Sequence, residues 1–277
     1  MSSGAPRTPA CRRTAILAAA MLAWVREVSP QLARCELSYL ERSAIDYARA
    51  LRQHRSYTAA LQALGCALTW LPALPEHPDA VFVEDTAVLL PEVAIVTRPG
   101  AASRRGETPS VAQALAPQLT VTQIREPACL EGGDVLRIGR SLYVGASART
   151  NAAGVAQLAA ALAPFGYSVH AVDLHGCLHL KSACTFIPPD RLIVNPAWVR
   201  PEAFGCRSVV RVEESEPYAA NTLTVGGTTL VSAAYPRTRE RLERGGVSTQ
   251  VLDVGELHKA EAALTCMSLL LEPLGPL

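Results

Sequence analysis

Two kinds of hydrophobic spacing alternate along this chain. Four segments, "IDYARALRQHRSYTAALQALG", "TPSVAQALAPQL", "NAAGVAQLAAALAPFG" and "PRTRERLERGG", repeat their apolar residues every three to four positions, which predicts amphipathic helices. Between them lie short alternating or continuous apolar runs bounded by turn residues. These are "VFVEDTAVLL-PE-VAIVTRP", "GGDVLRIGRSLYVGASA", "LHLKSACTFIPPDRLIVNP" and "ANTLTVGGTTLVSAAYP", and each predicts a pair of strands. An earlier run, "LAWVREVSP", reads as a buried first strand.

Aligning the strand pairs on their first strands brings a polar residue to nearly the same place in each: Asp85, Glu131 with Asp134, His179, Asn221 and, in "LTCMSLLL", Cys266. Successive gaps are about 45 residues, within the range of repeat architectures. Strand pair plus helix at that period predicts an α/β fold of five modules around a pseudo-symmetry axis. A radial arrangement would bring the five polar positions to one central mouth. Independent βαβ units of an open parallel sheet are the alternative, although neither a GxGxxG turn nor a P-loop follows any strand.

Composition narrows the class. The chain has 277 residues, 49% hydrophobic and 18% charged, with a formal net charge of +1. That suits a globular protein of one large or two small domains and gives no reason to expect a nucleic-acid or membrane-surface partner. Lys181 and Lys259 are the only lysines. Eight cysteines are scattered with no C-x-x-C pair, which reads as reduced thiols of a cytoplasmic protein, not as a disulfide or zinc framework. Arg7, Arg12 and Arg13 precede "AILAAAMLAWV", which looks like a short secretory leader and is too short to span a bilayer. Cleavage there would cut the first strand, and Met21 could equally start a shorter chain. The expected organisation is an N-terminal extension over residues 1–20, leader-like or disordered, and one catalytic domain over 21–277, as monomer or homodimer.

The five polar positions have a chemical reading. A thiolate is a strong nucleophile when a partner takes its proton, and a carboxylate stabilises a protonated imidazole. Cys266, His179 and Glu131 supply these roles. Asp85 suits a planar cation, and Arg98 and Arg149, each just past its strand pair, suit a carboxylate. The set describes a site for a small zwitterion bearing a guanidinium group. The plainer alternatives are a core cysteine before "MSLLL", a strand histidine and solvated surface ion pairs. A metal reading also exists: "HGCLH" puts His175, Cys177 and His179 on one face of a strand, where zinc would need a fourth ligand. Ligands two residues apart on one strand rarely converge on one ion, so no metal is expected.

Several stretches together resemble the dimethylarginine dimethylaminohydrolase family: "PDAVFVEDTAV", "TRPGAASRRGET", "GGDVLRIGRSLYVGASARTNAAG", "LHLKSA", "YAANTL", "YPRTRERL" and "CMSL". The resemblance runs from about Val25 to the carboxyl end. It implies the five-bladed αβ propeller (pentein fold) of the guanidino-group-modifying superfamily, with ββαβ-type modules and pseudo-fivefold symmetry. It also implies that Cys266 attacks the guanidinium carbon of an Nω-methylated arginine, that His179 protonates the departing alkylamine, and that water then releases citrulline. By the same resemblance Glu131 holds His179, Asp85 binds guanidinium nitrogens, and Arg98 and Arg149 take the α-carboxylate. Asp79, Phe82 and Glu84 would line the substrate channel, and Leu37 would sit on a lid. No cofactor is implied. The nearest rivals are another guanidino-modifying hydrolase, an amidinotransferase and a silent methylarginine binder.

Two positions bear on substrate choice. Relatives acting on unmethylated guanidinium groups carry aspartate where this chain has Lys181. A dimethylated substrate has fewer N–H donors, so a second carboxylate would be left unpaired, at a cost of about 1–3 kcal/mol. Lysine therefore argues for methylarginine, provided its side chain faces the site. Ala262 and Ala263 stand where many family members have glycine, and they would strain the loop by about 1 kcal/mol if it requires positive φ.

Overall fold

A computed structural model describes residues 20–272. The leader-like extension predicted for residues 1–20 falls outside them except for its last residue.

The chain is built from one repeated unit. The first comprises β1 (Leu22–Val25), α1 (Tyr47–Ala63) and β2 (Ala67–Trp70), with β1 and β2 parallel. The second comprises β3 (Ala87–Leu90), β4 (Val93–Val96), α2 (Thr108–Leu115) and β5 (Thr120–Gln123); β3 and β4 form a hairpin, and β5 returns parallel to β4. The third repeats this with β6 (Val135–Ile138), β7 (Ser141–Ala146), α3 (Ala152–Leu162) and β8 (Ser168–Asp173). The fourth begins with one helical turn, α4 (Leu180–Ala183), followed by β9 (Cys184–Ile187), β10 (Arg191–Val194) and β11 (Ser208–Arg211). Its crossover carries only the 3-10 turn Pro201–Phe204 in place of an α-helix. The fifth comprises β12 (Leu223–Val225), β13 (Thr228–Ser232), α5 (Pro236–Arg244) and β14 (Thr249–Leu252). After α6 (Gly255–His258), β15 (Leu269–Leu271) pairs antiparallel with β1, Leu22 opposite Leu271, and completes the first sheet. Five three-stranded sheets of identical pattern result.

Local chemistry explains the punctuation. Asp46 caps α1 by accepting from the Arg49 N–H, and Asn151 caps α3 through the Gly154 N–H at 2.8 Å. The two-residue turn Gly226–Gly227 between β12 and β13 has φ of 56° and 83°, the positive values a tight hairpin of this type needs.

The middle strand of each sheet shows why the sheets form a ring. In β4, Val93 and Ile95 pack towards the third unit, while Ala94 packs towards the first. In β10, Leu192 and Val194 face the third unit and Ile193 the fifth. Both faces are therefore buried, which is why "VAIV" and "LIV" read as continuous apolar runs. Five hydrophobic clusters fill the five spaces between neighbours, the last joining Val225, Leu230 and Leu252 of the fifth unit to Ala23 and Val25 of the first. This is the ring of five modules expected from the repeat, and the five-bladed αβ propeller that the family resemblance implies. No helix among the described residues is long and apolar enough to cross a membrane, and the seven described cysteines are free thiols.

Candidate active site

In three blades the first strand begins later than the hydrophobic pattern suggests. Val83–Thr86 and Gly132–Asp134 are 3-10 turns, and Leu180–Ala183 is a single α-turn. A helical turn ahead of β3, β6 and β9, and a plain turn ahead of β12 and β15, breaks the period-two alternation and turns polar side chains to the ring's mouth. Asp85 lies within the first turn, Glu131 and His179 occupy the residue just before the next two, and Asn221 precedes β12. Cys266 lies in the turn before β15, and its carbonyl accepts the Glu84 N–H at 3.1 Å.

His179 is the hub. Its Nε2 lies 2.7 Å from Glu131 Oε2, and its Nδ1 lies 3.8 Å from Asp85 Oδ1. Burial disfavours the imidazolium, but the carboxylates of Asp85, Asp134 and Glu131 outweigh it and raise His179 to about 9. Burial likewise opposes the charge on Glu131, yet bonding to His179 and proximity to Arg104 and Arg149 hold it below the usual carboxylate range. Asp134 has a different task from the one its position suggests. It accepts from Ser147, Thr150 and the Leu180 N–H, and so fixes the loop after β7 to the turn after His179. Gly133 makes this crowding feasible: a Cβ there would sit 2.7 Å from both Asp85 Oδ1 and His179 Nδ1.

Cys266 lines a cavity of about 110 Å³ with His179, Glu84 and Lys181. Its Sγ accepts the Ala263 N–H at 3.4 Å. Burial and the nearby carboxylates of Glu84 and Asp85 push the thiol well above its ordinary range. Lys181 faces the site: its Nζ lies 2.7 Å from Glu84 Oε1, and Thr265 donates to Glu84 Oε2 at 2.6 Å. This group separates the cavity from an axial channel of about 250 Å³ between the inner strands, which Glu84, Lys181 and Thr265 also line.

A smaller pocket, about 20 Å³, meets the first at Cys266 and His179 and is lined by Glu36, Asp79, Phe82, Asp85, Arg104 and Arg149, among others. Asp79 accepts the Glu36 N–H, and burial raises it to about 6 despite Arg104 nearby. Arg149 sits 3.6 Å from Glu131 and donates to Ser38 at 3.1 Å. Arg98 does not belong here, contrary to the expectation from the sequence. β4 ends at Val96, and the chain then bridges to Leu130, so the Arg98 guanidinium turns to the Ala128 carbonyl and to exposed Glu126. It lines a separate crevice with Arg105 and Thr108. The arginine that does reach the site is Arg104, buried against Asp85 (2.5 Å) and Glu107 (2.8 Å). Nothing in "SRR" distinguishes it from Arg105 by spacing.

Leu37 and Leu40 lie on the segment expected to form a lid. Leu37 packs against the core of the first blade, while Leu40 lines the cavity. Glu261 holds this segment: its carboxylate accepts the N–H groups of Ser38, Tyr39 and Leu40. Glu261 is also the one described non-glycine residue with positive φ, 56°. The strain expected at Ala262 and Ala263 is thus absent there and falls on Glu261, where charge-assisted hydrogen bonds offset a cost of about 1–2 kcal/mol.

The histidine-cysteine metal set is not assembled. His175, Cys177 and His179 lie in an irregular segment with His175 exposed, and Cys177 Sγ sits against the His179 carbonyl. Among the described residues, the group whose ligand-type atoms lie within 4.8 Å of one another is Asp85, Glu131 and His179, whose atoms already form the network above.

Comparisons with known proteins match this sequence and fold. The profile of the eukaryotic N,N dimethylarginine dimethylhydrolase family matches residues 37–198. The N(G),N(G)-dimethylarginine dimethylaminohydrolase of Streptomyces coelicolor is 42% identical over 255 residues, 91% of this chain and 97% of that protein. A cysteine-to-serine mutant of the Pseudomonas aeruginosa enzyme in complex with citrulline superimposes with a TM-score of 0.85 at 35% identity, covering 90% of this chain and 98% of that one. The N-terminal domain of ArgZ, an arginine dihydrolase, shares the fold at a TM-score of 0.79 and 18% identity. The chain belongs to the dimethylarginine dimethylaminohydrolase family, on the pentein fold.

Proposed function

We propose that the protein hydrolyses Nω,Nω-dimethyl-L-arginine, and monomethylarginine, to L-citrulline and an alkylamine through a covalent intermediate on Cys266. The observation that carries this reading is the convergence of Cys266 and of His179, held protonated by three carboxylates, on one buried cavity. The reaction follows from those charges. Free Cys266 is a thiol, because burial and two carboxylates oppose its ionisation. A cationic guanidinium arriving beside it offsets that field, and the thiol loses its proton to solvent or to a site base. The thiolate then forms an S–C bond to the guanidinium carbon. The C–N bond to the substituted nitrogen breaks, and the proton on His179 passes to the departing amine. Neutral His179 then takes a proton from water as it attacks the thiouronium carbon, the S–C bond breaks, and citrulline leaves.

Placement of the substrate follows from the small pocket: Arg149 and Arg104 supply positive charge for the α-carboxylate, and Asp79 suits the α-amino group. Glu84 is engaged by Lys181 and Thr265, and Asp85 by Arg104. Few acceptors remain for guanidinium N–H groups, which supports a methylated substrate over arginine. The test is product analysis with asymmetric dimethylarginine, monomethylarginine and arginine in parallel. Citrulline with an equimolar alkylamine from the first two, and little ammonia from arginine, is expected. Citrulline from none of them, or ornithine in its place, would overturn the reading.

A further inference from the structure

Two arginines are buried behind the site with one carboxylate between them. Arg26 follows β1, and Arg104 belongs to the 3-10 turn Ala102–Glu107; each is almost wholly buried. Glu107, buried as well, closes the same turn and takes Arg104 in a fork: Nε donates to Oε1 at 3.1 Å and Nη2 to Oε2 at 2.8 Å. Arg26 is seated alongside, donating to Ser110 Oγ at 2.8 Å, to the Ala80 carbonyl at 3.1 Å and to the Glu107 carbonyl at 3.5 Å. Helix capping does not account for this carboxylate. Glu107 stands at the start of α2, where an acidic side chain favours the free N–H groups, yet it makes no such bond.

Arg104 has five N–H donors in a planar fork. Glu107 takes two, the Phe82 carbonyl takes a third at 2.8 Å, and Asp85 Oδ2 takes a fourth. One is left for the substrate. Burial disfavours the charge on Arg104, and Glu107 first and Asp85 second outweigh it. A guanidinium fixed in this way holds Asp85 in one orientation. The other Asp85 oxygen, Oδ1, accepts the Gly133 N–H at 3.0 Å and faces His179 Nδ1 at 3.8 Å. Glu107 itself lines neither of the two pockets that meet at Cys266.

Building on the hydrolysis proposed above, we propose that Glu107 is a positioning residue for it: by holding Arg104 in the fork it fixes Asp85 against His179, and so sets the placement and charge of the imidazole from outside both pockets. The carboxylates facing His179 are Asp85, Glu131 and Asp134, with Arg104 and Arg149 beyond them. From the cavity it meets Cys266, the Lys181–Glu84 pair, Glu261 and His258, the last lowered to about 4 by burial and so neutral. Asp79 and Glu36 face it across the small pocket, and Arg26 stands behind Arg104. None of these groups is altered in Glu107→Gln, so a movement of His179 in that variant reports the missing carboxylate. The sign is fixed. Removing a negative charge leaves Arg104 less balanced and disfavours the imidazolium, so His179 falls from about 9 and the alkaline limb of kcat/KM moves to lower pH.

The test is citrulline release from methylarginine across the alkaline range with wild type, Glu107→Gln and Glu107→Asp. In Glu107→Gln, kcat on the neutral plateau is expected to fall about tenfold or more with KM held within about threefold, and the limb to move down by about half a unit to one unit. Glu107→Asp keeps the charge but withdraws it by one methylene, so its limb is expected to move the same way by less. The limb decides, because its position is independent of how much of a variant is folded; should Glu107→Gln fail to fold, Glu107→Asp carries the test. A limb that stays in place, whether kcat falls or not, is what an ion pair that only holds the fold would give, and it would overturn the positioning role while leaving the hydrolysis reading intact. Absence of turnover by the wild type would sink the hydrolysis reading instead. In that event NMR titration of the His179 imidazole still reads the claim: a lower midpoint in Glu107→Gln supports it, and an unmoved one refutes it.

Discussion

Replacing Glu131 with glutamine removes one negative charge from His179 and preserves side-chain volume. Glu131 is fully buried, lies 2.7 Å from His179 Nε2, accepts the Ala101 N–H at 3.2 Å and faces Arg149 at 3.6 Å. A hydrogen bond between charged groups contributes about 1.5–3 kcal/mol, and one pKa unit corresponds to about 1.4 kcal/mol. His179 should therefore fall by about 1–2 units, from about 9 towards 7–8, with Asp85 and Asp134 supporting what remains. The sign is definite. The protonated imidazole is present below its raised pKa and lost as pH rises through it, so the alkaline limb of kcat/KM, which reports the free enzyme, moves to lower pH. At pH 6 the variant should lose little from this cause; at pH 8.5 it should lose roughly 3-fold to 25-fold, by the same one-to-two-unit shift. The assay is citrulline formation from dimethylarginine across pH 5.5–10, a range set around the shifted pKa. An alkaline limb that stays in place while activity falls uniformly would refute the claim that Glu131 acts through the charge on His179.

Other consequences follow from the same geometry. Gly133→Ala places a methyl group 2.7 Å from both Asp85 and His179; kcat should fall about 100-fold, as for an ångström-scale misplacement, and near-wild-type kcat would show that the turn relaxes freely. Arg149→Ala should raise KM for methylarginine at least tenfold, whereas Arg98→Ala, in its separate crevice, should leave KM unchanged; steady-state kinetics showing the reverse would restore Arg98 to the carboxylate clamp. Asp79, raised to about 6 by burial, should bind the substrate ammonium only when ionised. KM should thus climb as pH falls below about 6, and this rise should vanish in Asp79→Asn.

Much of the architecture was legible because two signals repeat. Both-faces-buried middle strands produce uninterrupted apolar runs, and each blade places a polar residue just ahead of its inner strand. That position groups Asp85, Glu131, His179, Asn221 and Cys266 across almost the whole chain. Hydrophobic spacing could not show that helical turns precede β3, β6 and β9, since Val83 and Ala183 are buried in a turn as they would be in a strand. Nor could it separate Arg98 from Arg104. Both lie in one loop-rich stretch, and only the outward bridge from Arg98 to Leu130 decides which enters the site. Glu261 carries no sequence signal for a similar reason. Its role depends on a left-handed backbone and on N–H groups more than 200 positions away, and neither leaves a periodic trace.

The central claim is that Cys266 bonds covalently to the guanidinium carbon. The direct measurement is acid quenching of the enzyme during turnover of dimethylarginine, followed by peptide mapping by mass spectrometry. The account predicts a substrate-derived thiouronium adduct on the Cys266 peptide that forms before citrulline and decays with its release, and no such adduct in Cys266→Ser. An adduct on another residue, or undiminished citrulline formation by Cys266→Ser, would contradict it.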